Sequence, residues 1–70
     1  MTLVGQSVLR GPDGTRWVVS TLREGAGFVT TARRTGCDLT PAGTTRSETS
    51  AEAERAHRRY CEEIKQRGAI

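Results

Sequence analysis

The pattern of apolar and polar residues changes twice along the chain. Over residues 2–34, β-branched and aromatic residues stand in short runs separated by glycine, which is typical of β-strands. Residues 35–48 are rich in Thr, Gly, Pro and Ser, which indicates a loop. Residues 49–67 are charged and rich in alanine, and their apolar positions repeat with a helical period. The sequence therefore predicts the α+β fold class, with a sheet followed by one helix.

The first part of the chain predicts three strands, over Thr2 to Arg10, Thr15 to Arg23 and Phe28 to Arg34. The first two are joined by Gly11-Pro12-Asp13-Gly14, in which the proline presets φ and the last glycine can adopt a left-handed conformation. The second connection, Glu24-Gly25-Ala26-Gly27, is equally short. Both connections have hairpin length, so we expect a three-stranded antiparallel meander. A short fourth strand over Thr44 to Glu48 stays open as an alternative.

The two turns also predict how the strands pair. If Gly11 pairs with Thr15 and Arg23 with Phe28, the opposed pairs are Leu9–Trp17, Val8–Val18, Val19–Ala32 and Leu22–Val29. Side chains alternate across the pleat of a sheet, so this register divides them into two faces. One face should collect Leu3, Gly5, Leu9, Trp17, Val19, Thr21, Phe28 and Ala32. The other should collect Val4, Val8, Arg10, Arg16, Val18, Leu22, Val29 and Arg33.

The helix over residues 49–67 has recognisable ends and one apolar stripe. Thr49-Ser50-Ala51-Glu52 has the spacing of a capping box, and Gly68 marks the C-terminal end. The stripe consists of Ala53, Ala56, Tyr60 and Ile64, widened by His57 and Cys61. We expect this stripe to cover the sheet face that carries Trp17, with Gly5 allowing close approach. The outward side chains should be Arg55, Arg58, Arg59, Glu62, Glu63 and Lys65.

Length and composition limit what the chain can do. Its 70 residues form one domain at most, over residues 1–70, and only 34% of them are hydrophobic. This is enough for one thin core between two layers, with little room for a deep substrate pocket. We therefore expect no small-molecule substrate and no cofactor.

Charge and cysteine content suggest a partner class and a compartment. The balance of 11 basic and 8 acidic residues gives a net charge of +3, which permits an acidic protein or a nucleic acid as partner. The sequence has no apolar run near the roughly 18 residues that a membrane span needs, and no signal-peptide pattern. We therefore expect a cytoplasmic protein without membrane contact, in which Cys37 and Cys61 are free thiols.

His57 and Cys61 are the candidate chemical residues. They stand four positions apart on the helix, and Cys37 could approach from the loop to complete a Cys/Cys/His set of the type that zinc prefers. A fourth ligand and a CxxC spacing are both missing, so a metal- or thiol-dependent protein is the weaker alternative. Cysteine–histidine catalysis would also need an orienting group and oxyanion donors. Both residues lie on the helix side assigned to the core, where a thiol is inert, and the sequence shows no oxyanion-hole loop. We therefore expect a protein that is not an enzyme.

The sheet face without the helix is the candidate contact surface. It combines arginines with branched apolar residues, and its expected contact residues are Arg10, Arg16, Val18, Leu22 and Arg33. This layout resembles the arm-binding domains of tyrosine integrases and the AP2 plant domains. In those families a three-stranded sheet backed by a helix lies in a DNA groove. The resemblance implies DNA or RNA binding as an alternative. The apolar strip favours another protein, or a second copy of this chain as a homodimer, because exposed apolar patches usually mark protein interfaces.

The beginning of the helix carries a second resemblance. Thr49-Ser50-Ala51-Glu52-Ala53-Glu54-Arg55-Ala56-His57 looks like the T-x-x-E-A-x-x-x-H helix of small phage and actinobacterial accessory proteins. The resemblance covers these nine positions and implies a small phage-related viral protein, without specifying its role. It assigns no role to any single residue. An inhibitor or regulator of a host complex would have this size and this lack of catalytic residues.

Overall fold

A computed structural model describes residues 2–35 and 42–68, and shows a four-stranded antiparallel sheet with one helix against one face. The strands are β1 (Thr2–Arg10), β2 (Arg16–Glu24), β3 (Gly27–Arg34) and β4 (Gly43–Ser47), and they lie in the sheet in chain order. The helix α1 spans Ser50–Arg67. The predicted α+β meander is confirmed, and the fourth strand that the sequence left open is present.

The predicted register is confirmed over most of the sheet. Leu9 lies opposite Trp17 in the first hairpin, and Leu22 lies opposite Val29 in the second. The first turn closes through Gly11 N, which donates to Thr15 O at 2.9 Å. Gly14 has a φ of 85°, the left-handed conformation that the turn requires. Turn chemistry therefore fixes the pairing of the long strands.

A β-bulge near the start of β1 corrects the predicted faces. Leu3 lies opposite Leu22, but Gly5 lies opposite Thr21, so Val4 is the extra residue. Directly opposed residues share a face, so Leu3 belongs to the face of Leu22, away from the helix. Val4 instead lines a groove on the helix side. The prediction was wrong for Leu3 and Val4, because strict alternation does not continue through a bulge.

The core lies between α1 and the face of the sheet that carries Trp17. The sheet contributes Trp17, Val19 and Ala32, each no more than 2% exposed, and the helix contributes Tyr60 and Ile64. Ala53 is also buried, while Ala56, His57 and Cys61 are half-buried. The predicted stripe is thus the packed side of the helix. Within residues 2–35 and 42–68, no helix is both long enough and apolar enough to cross a membrane.

Both ends of α1 are capped by groups that satisfy free backbone atoms. Thr49 Oγ1 accepts a hydrogen bond from Glu52 N at 3.2 Å. Glu52 Oε2 accepts from Glu48 N at 3.4 Å, one residue before the position that a standard capping box uses. At the other end, Gly68 has a φ of 72° and its N–H donates to Ile64 O at 2.9 Å. The predicted start and stop of the helix are confirmed.

The first turn approaches the C-terminal end of α1 closely. A Cβ atom placed on Gly11 would lie 3.0 Å from Gly68 Cα and 3.5 Å from Ile64 O. The expectation that Gly5 permits the close approach is wrong, since a Cβ atom there would meet nothing within 4 Å. The turn between β1 and β2 therefore packs directly on the C-terminal cap of α1.

This contact predicts that Gly11→Ala lowers the free energy of unfolding by about 1–3 kcal/mol, because the added methyl group must displace backbone. Urea denaturation followed by circular dichroism measures the change. Gly5→Ala is the matched control and should be neutral or slightly stabilising, since alanine costs less backbone entropy than glycine. Equal destabilisation by both substitutions would contradict the contact.

Candidate functional site

The sheet face turned away from α1, called the open face below, carries its side chains in four rows that run across the strands. The register defines these rows, because directly opposed residues share a face. From the first turn onward, the rows are Arg10 and Arg16; Val8, Val18 and Arg33; Gln6, Ser20, Thr31 and Thr44; and Leu3, Leu22, Val29 and Arg46. The open face thus has a basic end, two rows with apolar residues and a polar row between them.

Positive charge dominates the open face. Arg10 and Arg16 are exposed and lie directly opposite each other, an arrangement that costs stability in a sheet. Within residues 2–35 and 42–68, neither of them has a carboxylate at ion-pair distance. Glu24 is the acidic residue among the strand positions of this face, and it lies beyond the fourth row. Places where a sequence breaks a local stability rule are often functional sites.

The five predicted contact residues all lie on the open face. The three arginines among them are exposed, whereas Val18 and Leu22 are half-buried because they lie in a central strand. The sequence prediction missed Arg46, which required β4 to be recognised, and Leu3, which the bulge moves to this face. Leu3 and Val8 are the more exposed apolar residues here, at 54% and 60%.

A groove of about 500 Å³ lies on the opposite side of the sheet, between β1 to β3 and residues 50–61 of α1. Its apolar wall includes Val4, Phe28 and Ala53, and the exposed Glu54 and Arg58 stand at its rim. His57 and Cys61 also line the groove, together with Gly5, Thr21 and Ser50. The two candidate chemical residues therefore do share one site.

His57 is held by a network of hydroxyl groups. Ser7 Oγ lies 2.8 Å from Nε2, and Thr21 Oγ1 lies 3.1 Å from Nδ1. Thr21 Oγ1 also lies 3.1 Å from Thr30 Oγ1, and both threonines are buried. A neutral imidazole donates through one ring nitrogen and accepts at the other, and hydroxyl groups suit both roles. Both ring nitrogens are thus occupied, so ligation of a metal or proton transfer at His57 would break a hydrogen bond.

Two of the three residues in the alternative zinc set, His57 and Cys61, lie in the described part of the chain. His57 and Cys61 lie side by side on α1, and Cys61 is a half-buried free thiol. Cys37, the third member of the predicted set, lies outside the described residues. Across residues 2–35 and 42–68, no group of three or more His, Cys, Asp or Glu side chains is arranged to hold a metal ion. The contacts of His57 show a residue that connects helix to sheet.

Burial lowers the pKa of His57 below its ordinary value of 6.5. At alkaline pH the folded and unfolded chains both carry a neutral imidazole. As the pH falls through about 6.5, the unfolded chain takes up the proton first, so the free energy of unfolding decreases until the pH passes below the folded pKa. The nearby charges at the groove rim are Glu54 and Arg58, one of each sign.

We therefore expect stability to fall as the pH is lowered from about 7 through 6.5, and His57→Asn to flatten this slope. Urea unfolding across the pH range measures the effect. Asp13 titrates in a separate range, because the backbone N–H of Thr15 holds the pKa of its carboxyl below 3.8. An unchanged slope below pH 7 in His57→Asn would disprove the assignment.

Comparison with known proteins adds no relative. No family model matches the chain, and no curated protein or solved structure matches it. The resemblances to integrase arm-binding domains, AP2 domains and phage accessory proteins therefore stay predictions.

Proposed function

We propose that this chain is a small protein-binding module, and that its open face holds a partner surface on which acidic and apolar side chains lie next to each other. The observation that carries the proposal is the combination of four arginines with rows of apolar residues on the sheet face opposite α1. The arginines are Arg10, Arg16, Arg33 and Arg46.

The chemistry of the open face selects an acidic protein surface. Arginine side chains bind carboxylates through two parallel hydrogen bonds, which gives the contact direction as well as charge. Leu3, Val8 and their half-buried neighbours gain free energy when a partner removes them from water. A partner that offers both carboxylates and apolar side chains satisfies both requirements.

Two other occupants fit this face less well. A second copy placed face to face would bring arginines near arginines, with Glu24 as the acidic strand residue available on each copy. Nucleic acid would press phosphates against apolar rows, and bases would find no aromatic side chain to stack on. All three aromatic residues are committed elsewhere, since Trp17 and Phe28 face the helix side and Tyr60 lies on α1.

A regulator or inhibitor of a larger complex is the role that a module of this kind could fill. The chain would act by covering an acidic-apolar surface of its target, without chemistry of its own. The occupied ring nitrogens of His57 support this view, because the strongest candidate for chemistry in the described residues is engaged in the core.

Selection from a random peptide library against the immobilised protein tests the proposal. We expect the selected peptides to combine Asp or Glu with Leu, Ile or Phe. Arg16→Glu should weaken their binding at least about tenfold, since it reverses a charge at the basic end. Val18→Thr should weaken it by a smaller factor, because it keeps the side-chain shape and adds a hydroxyl group. Fluorescence anisotropy with one selected peptide measures both changes.

Arg55→Glu is the matched control, because it makes the same change of charge on the exposed side of α1. It should leave peptide affinity within about twofold. Peptides without acidic residues, or peptides that bind Arg16→Glu as well as the parent chain, would overturn the proposal. Tighter binding to a DNA duplex of about 20 base pairs, falling steeply with salt, would establish the nucleic-acid alternative instead.

A further inference from the structure

The two edges of the sheet differ in how well they are protected. β4 is five residues long and carries Arg46, both of which discourage further strand pairing. β1 is nine residues long, and its single charged residue is Arg10 at the end. In the described part of the chain, the large apolar side chains that are more than half exposed are Leu3, Val4 and Val8, all on β1. The free edge of β1 is therefore the surface best suited to take another strand.

The backbone groups that this edge offers follow from the hairpin. Gly11 bonds to Thr15, and hydrogen-bonded pairs alternate along an antiparallel ladder, so Leu9 and Ser7 also turn their backbone groups toward β2. Gln6, Val8 and Arg10 then turn theirs outward. The contacts of Arg16 support this orientation. Arg16 lies opposite Arg10, and its carbonyl accepts a hydrogen bond from Thr35 N on the β3 side at 3.0 Å, so it does not bond to Arg10.

The bulge limits the regular part of the edge. Regular pairing geometry ends at the register shift between Leu3 and Gly5, which leaves residues 6–10 as the stretch with evenly spaced outward groups. The centre of this stretch is Val8. An antiparallel partner that uses all of it must therefore be centred at Val8.

We propose that β1 pairs with β1 of a second copy of this chain, antiparallel, about a two-fold axis at Val8. Val8 then lies opposite Val8 of the second copy, and Gln6 lies opposite Arg10 of the second copy on each side of the axis. All of these residues turn their backbone groups outward, so the three pairs make about six hydrogen bonds. Two-fold symmetric dimers are the commonest form of soluble homo-oligomer.

The side chains favour this register over its neighbours. It places Val18, Val8 and their two symmetry equivalents in one continuous apolar row. The two Arg10 side chains are kept about 13 Å apart along the strands. Centring at Arg10 would set two like charges directly opposite each other, which is unfavourable. Centring at Gln6 would run the ladder into the bulge at Val4.

The dimer joins the sheets of the two copies into one sheet of eight strands. Both open faces lie on the same side of it, because the axis is perpendicular to the sheet. This self-association uses an edge, so it does not depend on which partner the open face binds. It would, however, present two copies of that face side by side to a partner.

Sedimentation velocity over a range of concentrations tests the dimer. We expect the 7.6 kDa chain to sediment at twice its mass at high concentration. Val8→Pro should make it monomeric, since proline removes the outward N–H without removing a bond to β2. Val8→Ala keeps that N–H and should weaken association by a smaller factor. Circular dichroism confirms that each variant is folded. A chain that is monomeric at every concentration, or a dimer that folded Val8→Pro leaves intact, would overturn the proposal.

Disulfide cross-linking tests the register without relying on proline. In a background with Cys37→Ser and Cys61→Ser, Val8→Cys should form a covalent dimer on mild oxidation. The two Cα atoms of such a pair lie about 5.5 Å apart, within the range for disulfides. Gln6→Cys in the same background is the control and should stay uncoupled, because its symmetry mate lies about 13 Å along the strand. Equal cross-linking of both variants would reject the axis at Val8.

Discussion

In the described part of the chain, a single helix packs against a sheet that has two faces, so one face is left without a helix. The rest of the structure depends on this constraint. α1 has 18 residues and is about 27 Å long, so it covers one face of the four strands. The Cα dimensions of 36 × 22 × 14 Å reflect these two layers. The helix packs on the face with Trp17, which offers the larger apolar volume. Branched apolar residues on the other face are left to solvent or to a partner.

Local sequence signals were sufficient for most of the fold. Pro12 and Gly14 determine the conformation of the first turn. That conformation then fixes which residues of β1 and β2 lie opposite each other. The bulge at Val4 could not be predicted in the same way, because Leu3 and Val4 are both apolar and either could face the core. β4 gave a weak signal for a related reason. Its threonines suit a strand, but its alternation is short and it follows a loop-like stretch.

The polar contacts of the core depend on residues far apart in sequence, which explains why the sequence did not reveal them. Thr45 Oγ1 lies 2.6 Å from the Tyr60 hydroxyl group and ties β4 to the helix. Thr21 and Thr30 are buried because each hydroxyl group has a partner in the other or in His57. Arg46 was not predicted on the open face for the same reason. Its position there follows from the pairing of β4 with β3, in which it lies opposite Val29.

The contact between Gly11 and Gly68 has a consequence for the order of folding. The first hairpin forms from neighbouring residues, whereas α1 gains most of its stability from packing its apolar side on the sheet. The cap of α1 can dock on the turn only after the chain between them has been brought into place, and contacts of such long sequence separation slow folding through loop-closure entropy. The contact between Gly11 and Gly68 therefore belongs to the long-range part of the fold, together with the hydrogen bonds of His57 to Ser7 and Thr21.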